Sequence, residues 1–339
     1  MIHARVNMLA VLRKMTKRSQ HWRPTASLEV LKKRAELLRQ IRAFFYARDI
    51  LEVDTPSLSV AGNTDPNIES FSTGYTGPGN ATTLYLHTSP EFAMKRLLAA
   101  GYGAIYQLCK VFRNGEAGRQ HNPEFTMLEW YRPGFDHHQL MDEVAALIDE
   151  LLGKEEIAII KTTYQQAFLE HAGIDPLDTE LSALEKCAQQ HGFEQVIGMD
   201  DASVDDWLGL LMDQVVVPGL GNSRVFVYNY PASQSALAKI SVADPRVAER
   251  FELFINGVEI ANGFHELTDV SEQRQRFVGE NKCRNTRGLP ELPIDENLLM
   301  ALEEGLPECA GVALGLDRLL MLLVEAGSIS QVTSLASTE

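Results

Sequence analysis

Residues 105–131 contain the side chains whose types and order best suggest chemistry. Arg113 follows an alternating apolar segment that predicts a strand, and His121 and Asn122 precede a second such segment, 125–131. We therefore predict a hairpin that holds Arg113 at the end of a strand, where its guanidinium can fork onto phosphate oxygens. Taken alone, the segment also fits a hairpin with a purely structural arginine–glutamate pair.

A second hairpin is predicted further along the chain, around Asn256-Gly257 within 250–268. It places Glu252 and Glu259 on its two arms. Two carboxylates brought together across strands repel each other unless a cation or a substrate amine lies between them. Taken singly, each of these two glutamates is equally well explained as an ordinary structural or surface residue.

The third charged segment, 311–322, lies near the C-terminus. Its two glycines let a backbone approach a ligand closely, and Asp317 and Arg318 stand at the start of an apolar helix. An ordinary strand-to-helix turn with an aspartate–arginine pair would have the same sequence.

The elements that must position these groups follow from periodicity. Apolar residues at helical spacing from Leu31 to Phe45 predict a first helix that ends near Asp49. A second helix is expected to begin at Ser89 and Pro90, with the serine as N-cap and the proline as first helical residue. Further helices are predicted over 136–152, 180–191 and 204–216.

Together, the three charged segments resemble the catalytic domain of class II aminoacyl-tRNA synthetases, most closely the lysyl branch. The shared motifs are Phe-Arg-Asn…His-Asn-Pro-Glu-Phe-Thr-Met, Glu-Ile-Ala-Asn-Gly-Phe…Glu-Leu and Gly…Gly…Asp-Arg. Residues 51–56 look like the strand ending in proline that this class uses at its dimer interface, so a homodimer is expected. The resemblance spans roughly 28–325 and implies an α+β fold, an antiparallel sheet flanked by helices.

One part of the lysyl enzymes has no counterpart here. They carry an N-terminal β-barrel that reads the anticodon, and residues 1–25 are too short for such a domain. We expect an N-terminal extension at 1–25 and a catalytic domain at 26–339, with a helical insertion at about 154–223 and no anticodon-binding domain. This arrangement resembles the family of elongation factor P–(R)-β-lysine ligases, truncated paralogues of lysyl-tRNA synthetase.

That resemblance implies an activity and its cofactors. The chain would activate (R)-β-lysine as an adenylate, using ATP and Mg²⁺, and pass it to a lysine side chain of elongation factor P. No residue stands out as the base for the transfer step, and His265 is as readily a structural histidine. Two other readings stay open: a synthetase that acts on tRNA or another acceptor, and a non-catalytic regulatory paralogue.

The resemblance also assigns roles to single residues. Arg113 would lie on the α-phosphate and Arg318 on the γ-phosphate, as the catalytic pair, and Glu252 and Glu259 would hold Mg²⁺, a hard cation that prefers oxygen ligands. The other ATP-binding positions would be Asn114, Gly115, His121, Asn122, Phe125, Ile260 and Gly315. The amino acid would be surrounded by Ser89, Pro90, Glu91, Tyr131, Glu266 and Ala313.

Three residues depart from the lysyl pattern. Ala313 stands where those enzymes have glycine, and Ser89 where they tend to have alanine. A β-amino acid carries its amine one carbon further from the carboxylate, so both changes predict altered reading of the amino acid. Gly115 replaces the glutamate of Arg-Asn-Glu, and either Glu116 takes its place beside adenine or nucleotide affinity is lower.

Composition agrees with this interpretation. A formal net charge of −15 over 339 residues is unfavourable for holding tRNA, since phosphate neutralisation supplies most non-specific affinity. Four cysteines without metal-type spacing, and no apolar run of membrane-spanning length, predict a cytoplasmic protein without a membrane partner.

Positive charge is concentrated near the N-terminus. It forms either a solvated tail and helix face or a docking patch for the acidic elongation factor P. The residues concerned are Arg5, Arg13, Lys14, Lys17, Arg18, Arg23, Lys32, Lys33, Arg34, Arg39 and Arg42.

Overall fold

The computed structural model describes residues 22–79, 83–153, 159–194, 196–199 and 202–336. Within these ranges, eight strands form one sheet: β1 (Leu51–Glu52), β5 (Ile105–Phe112), β6 (Glu124–Pro133), β7 (Ile160–Thr163), β8 (Arg224–Pro231), β9 (Val247–Ile255), β10 (Val258–His265) and β11 (Cys309–Gly315). Their order is β1-β5-β6-β11-β10-β9-β8-β7. The six central strands are antiparallel, and β1 and β7 join the two edges in parallel. A small sheet of β2 (Leu58–Ser59), β3 (Ser72–Gly74) and β4 (Thr83–Leu86) lies beside it.

Helices cover the sheet. They are α1 (Leu28–Tyr46), α2 (Glu91–Ala99), α3 (His137–Leu152), α4 (Tyr164–His171), α5 (Leu181–Gln190), α6 (Val204–Leu211), α7 (Val270–Thr286), α8 (Glu296–Gly305) and α9 (Leu316–Leu323). Helices α1, α3 and α9 supply the main core cluster. Helices α2, α7 and α8 form a second cluster with Tyr131 of β6. The predicted α+β class is confirmed.

The alternation of side chains along β6 explains how one strand serves a core and a site. Leu128 and Trp130 lie in the main core, whereas Met127, Glu129 and Tyr131 point to the opposite face. The polar residues of this strand therefore leave the core intact while they line a cavity.

The sequence predicts a helical insertion at about 154–223, but the described part of this segment, from residue 159 on, is not helical throughout. It opens with strand β7, which extends the main sheet beside β8. Helices α4, α5 and α6 then bury their own apolar cluster against β8, and α6 continues into a π-helical segment, Met212–Val216. Residues 154–158 of the predicted insertion lie outside the described ranges.

The predicted start of the second helix is wrong by one residue. Helix α2 begins at Glu91, and Pro90, not Ser89, occupies the N-cap position. The Ser89 hydroxyl accepts the Glu91 N–H at 3.0 Å, so it closes a turn just outside the helix. The hydroxyl hydrogen of Ser89 is donated to Glu129, in the site described below.

The predicted basic patch does not include Arg34, because this side chain is only 17% exposed and points into an ion pair with the buried Asp317. Its Nη1 lies 2.5 Å from Asp317 Oδ1, and its Nη2 donates to Thr126 Oγ1 at 2.6 Å. Lys32 and Lys33 are exposed and pair with glutamates on their own helix. Residues 1–21, with the more N-terminal basic positions, lie outside the described ranges, and a docking role for the patch stays a prediction.

Arg34→Met should destabilise the fold by about 3–5 kcal/mol, because it leaves the Asp317 carboxylate buried with its charge unpaired. Urea unfolding would measure the loss. Lys33→Met, at an exposed ion pair on the same helix, is the matched control and should change stability by about 1 kcal/mol or less. If Arg34→Met lowered the free energy of unfolding no more than the control does, the ion pair with Asp317 would not stabilise the fold.

Candidate active site

A cavity of about 760 Å³ opens on the sheet face opposite α1 and α3. Most residues predicted for the site line it: Ser89, Glu91, Arg113, His121, Asn122, Phe125, Tyr131, Glu259, Ile260, Glu266, Ala313, Gly315 and Arg318. The structure thus brings together residues from widely separated parts of the chain. Their individual roles stay predictions.

Four predicted positions do not line the cavity. Pro90 is the N-cap of α2, and the backbone N–H of Asn114 donates to the Glu69 carbonyl at 2.8 Å. Gly115 is at an exposed turn, and Glu252 lies behind Arg250, which does line the cavity.

Two arginines make one end of the cavity cationic. Arg318 Nη1 donates to the Glu259 carbonyl at 3.0 Å and lies 3.2 Å from its Oε2, while Nη2 donates to His121 Nε2 at 2.8 Å. Because a guanidinium only donates, His121 must accept through a neutral ring, and burial together with the Arg318 charge lowers the pKa of His121. Anions such as phosphates fit this end.

Arg113 follows β5 immediately, as predicted. Its backbone N–H donates to the Pro123 carbonyl at 2.9 Å, which closes the hairpin. The guanidinium lies 5.2 Å from the centroid of the Phe125 ring and 3.5 Å from Glu116. The contact with Glu116 is long and partly exposed, so it leaves most donors of Arg113 available for a ligand.

The replacement of the motif glutamate by Gly115 has a backbone explanation. Gly115 has a φ of 81°, in the left-handed region that a side chain disfavours. Its neighbour Glu116 lines the cavity instead. A role of Glu116 beside adenine stays a prediction.

The other end of the cavity is acidic. Lys95 Nζ lies 2.6 Å from Glu91 Oε1 and 2.6 Å from Glu266 Oε2. Glu129 accepts hydrogen bonds from Ser89 Oγ and from the Tyr131 hydroxyl, each at 2.7 Å. We call these four ionisable groups, Glu91, Lys95, Glu129 and Glu266, the acidic cluster.

Burial and mutual repulsion set the protonation of this cluster. Burial, with a further contribution from Glu91, raises the pKa of Glu129 to about 7. Burial also raises the pKa of Glu266, to about 8, although Lys95 opposes the rise. Burial works against the charge of Lys95, but Glu266 and Glu91 outweigh it and raise the pKa of that ammonium. Neutral pH therefore lies close to the titration range of Glu129.

The sequence motifs assign no role to Lys95 or Glu129. Lys95 is one helical turn after Glu91, and Glu129 shares the cavity face with Tyr131 two residues on. That spacing was the available signal for both residues.

Glu252 and Glu259 lie on the two arms of the predicted hairpin, with Asn256-Gly257 in the turn. Glu252 pairs with Arg250 and accepts the Tyr230 hydroxyl at 2.7 Å. Burial raises the pKa of Glu252; the charge of Arg250 opposes this rise and that of Glu259 adds to it. The charges of the two carboxylates thus affect each other, and carboxylate oxygens are the ligands that a hard cation such as Mg²⁺ prefers. A Mg²⁺ site at this pair stays a prediction.

Ala313 lines the cavity from strand β11. In β11 it lies opposite Glu129 of β6 on one side and Asn262 of β10 on the other. Two residues earlier, Gly311 has no space for a side chain, because a Cβ there would meet Tyr131 and Glu266. A change of one methyl in this strand must therefore change the shape of the acidic end.

An antiparallel sheet, an arginine at a strand end and a second arginine at the start of a C-terminal helix define the catalytic domain of a class II synthetase. The family described as tRNA synthetases class II (D, K and N) matches residues 12–339.

The chain is 54% identical to the elongation factor P–(R)-β-lysine ligase of Vibrio cholerae over 318 residues, 92% of this chain and 97% of that protein. It is 51% identical to the ligase of the same name from Pectobacterium atrosepticum over 314 residues, 92% of this chain and 96% of that protein. The chain belongs to the class II tRNA synthetase family and, within it, to the elongation factor P–(R)-β-lysine ligases, which confirms the family predicted from the motifs. Among the described residues, no helix combines the length and the apolar character needed to cross a membrane.

Proposed function

We propose that this protein is an ATP-dependent ligase that activates (R)-β-lysine as an adenylate and transfers it to a lysine side chain of elongation factor P. The names of the relatives support the substrate and the acceptor. The cavity supports the chemistry, because one end offers cations for phosphates and the other offers carboxylates for amines. We further propose that the protein acts in the cytoplasm without binding tRNA.

The acidic cluster is the observation that best supports this proposal. When ionised, its three carboxylates and one ammonium leave two net negative charges. A diaminocarboxylic acid such as β-lysine brings two ammonium groups. Glu266 Oε1 is buried and has no hydrogen-bond partner among the described residues, so an incoming amine would satisfy it.

In the first step, a substrate carboxylate oxygen attacks the α-phosphorus, and the bond to pyrophosphate breaks. Negative charge crowds at that phosphorus, so fixed cations lower the barrier without having to reorganise. Arg113, at the β5–β6 hairpin, and Arg318, at the start of α9, would supply these cations. Glu252 and Glu259 would hold Mg²⁺, which when bound neutralises further charge on the phosphate oxygens.

In the second step, the amine of the acceptor lysine attacks the carbonyl of the mixed anhydride. A carbon–nitrogen bond forms, AMP leaves with the electrons of the broken carbon–oxygen bond, and the amine loses a proton. The cavity positions the activated carbonyl, and effective positioning alone accounts for much of the rate in such transfers.

Two assays with the purified chain test the proposal. (R)-β-Lysine should support exchange of labelled pyrophosphate into ATP, and mass spectrometry of elongation factor P should show the added β-lysyl group. Esterification of tRNA in preference to the protein would favour the synthetase reading. Absence of exchange with every form of lysine would favour a regulatory paralogue.

Ala313→Gly should raise activity with α-lysine relative to β-lysine, because removal of one methyl opens the wall beside Glu129. One methyl is worth about 1–3 kcal/mol of discrimination, so a shift of about 10-fold or more in the ratio of kcat/KM values is expected. Pyrophosphate exchange with each amino acid measures that ratio. Ala310→Gly, at a buried position of the same strand outside the cavity lining, is the control; an unchanged ratio in Ala313→Gly would contradict the account.

We also propose a homodimer through residues 51–56. Leu51 is half-exposed, and β1 forms the edge of the sheet, where a second copy can pack. Sedimentation of the wild type and of Leu51→Asp would test this, and a monomeric wild type would dismiss it.

A further inference from the structure

A second group of ligand-type side chains lies outside the cavity. At the end of strand β10, Phe264 and the next residue after the strand, Glu266, line the cavity, so His265 between them points to the other face. There it meets Glu249 of β9 and His137, the first residue of α3. One ligand atom from each of the three lies within 4.8 Å of the others. We propose that His137, Glu249 and His265 bind a divalent transition-metal ion such as Zn²⁺.

The buried histidine gives the strongest indication of a ligand. The side chain of His137 is only 6% exposed, and neither ring nitrogen has a hydrogen-bond partner among the described residues. Buried polar atoms without partners are rare in folded proteins, and each needs an explanation. Its Nδ1 lies 4.0 Å from Glu249 Oε2, too far for a hydrogen bond but suited to an ion placed between them.

The distances require only a small adjustment on metal binding. His265 Nδ1 lies 2.5 Å from Glu249 Oε2, joined by a proton. Two ligands held 2.0–2.1 Å from a tetrahedral Zn²⁺ are about 3.3 Å apart. An ion that replaces the proton therefore separates this pair by less than an ångström and draws His137 closer by a similar amount.

A carboxylate supports the site from outside. The second nitrogen of His265, Nε2, lies 3.0 Å from Glu308 Oε2, and a carboxylate on the far nitrogen fixes the ring and raises its basicity as a ligand. Lys239 pairs with the same carboxylate at 3.0 Å. Glu308 is 58% exposed, so the site can be reached from solvent on this side.

The donor set selects the kind of ion. Two imidazoles and one carboxylate suit Zn²⁺, Co²⁺ or Ni²⁺, whereas Mg²⁺ prefers oxygen ligands and keeps its waters. The site is therefore distinct from the Mg²⁺ position proposed at Glu252 and Glu259.

Metal titration of the chelator-stripped full-length chain tests the proposal. Calorimetry with Zn²⁺ should show one ion bound per chain, and Co²⁺ should give visible bands of a nitrogen–oxygen site without a thiolate charge-transfer band. His137→Leu and His265→Gln should each weaken binding by at least about 10-fold, and Glu308→Gln by about 10- to 100-fold. His138→Gln, at the exposed neighbouring histidine, is the matched control and should bind as the wild type does.

Three results would overturn the assignment as a whole, and a fourth would overturn the role of His137. The first three are the absence of stoichiometric binding, binding that survives both His137→Leu and His265→Gln, and a thiolate band that points to the cysteines. If His137→Leu does not fold, His265→Gln and Glu308→Gln decide the question, because both positions are at least partly exposed. Equal loss of binding in His138→Gln would also refute the role of His137.

Discussion

Arg113→Ala should reduce pyrophosphate exchange by about 10³-fold or more. A guanidinium that stabilises phosphoryl charge contributes about 10³–10⁵ in related transfers, and Arg113 faces the cationic end of the cavity with most of its donors available. The loss should lie in kcat rather than in KM for the amino acid, since the acidic cluster is at the opposite end. Arg113→Lys should recover only part of the rate, because an ammonium keeps the charge and loses the fork.

Two controls separate this role from a structural one. Arg119→Ala changes an exposed arginine of the same loop outside the cavity lining and should leave exchange within about twofold of the wild type. If Arg113 served only as a structural partner of Glu116, Arg113→Ala and Glu116→Gln would lower the melting temperature equally. Exchange in Arg113→Ala that is no lower than in Arg119→Ala would refute phosphate binding by Arg113.

The parts of the site that could be predicted from sequence are those where local pattern fixes position. The turn residues Asn256 and Gly257 have φ values of 52° and 72°, as the Asn-Gly pair predicted, so Glu252 and Glu259 lie on the two paired strands β9 and β10. They are not directly opposite each other, because Glu252 pairs with Asn262 and Glu259 with Phe254. The alternation in β5 and β6 likewise fixed Arg113 at the strand end. Short-range geometry was enough in these cases.

The parts that could not be predicted depend on partners far apart in the chain. A lysine on a short helix, such as Lys95, is usually a solvated residue, and only the folded sheet brings Glu266 onto it. The same holds for Arg34, whose sequence context is a basic helix face but whose partner Asp317 comes from the last helix of the domain. Strand β7 was missed because four residues at a sheet edge give no period that could be distinguished from its surroundings.

Glu129→Gln should raise KM for (R)-β-lysine by at least about 30-fold and leave KM for ATP unchanged. Removal of one partner from a buried charge pair costs about 2–5 kcal/mol in binding. The substitution keeps the shape of the side chain and one of the two accepting oxygens. At the other position the amide N–H can donate to the oxygen of the Ser89 or Tyr131 hydroxyl, so the main loss is the charge. Glu124→Gln, at an exposed ion pair on the same strand, is the control and should bind β-lysine normally.

The pH dependence gives an independent measurement of the same charge. With a pKa of about 7 in the free protein, Glu129 is protonated below that pH and ionised above it. A cationic substrate binds the ionised form, so KM for β-lysine should rise as the pH falls from 8 to 6, and binding should release protons near pH 7. Calorimetry in buffers with different ionisation enthalpies would count those protons.

The variant Glu129→Gln separates the contributions of the two glutamates. Glu266, with a pKa of about 8, should continue to release protons in this variant, but fewer protons should be released on binding and the pH dependence of KM should shift to higher pH. A proton count identical in both proteins would show that Glu129 does not meet the substrate amine, and a KM independent of pH in the wild type would remove the acidic cluster from amino-acid binding altogether.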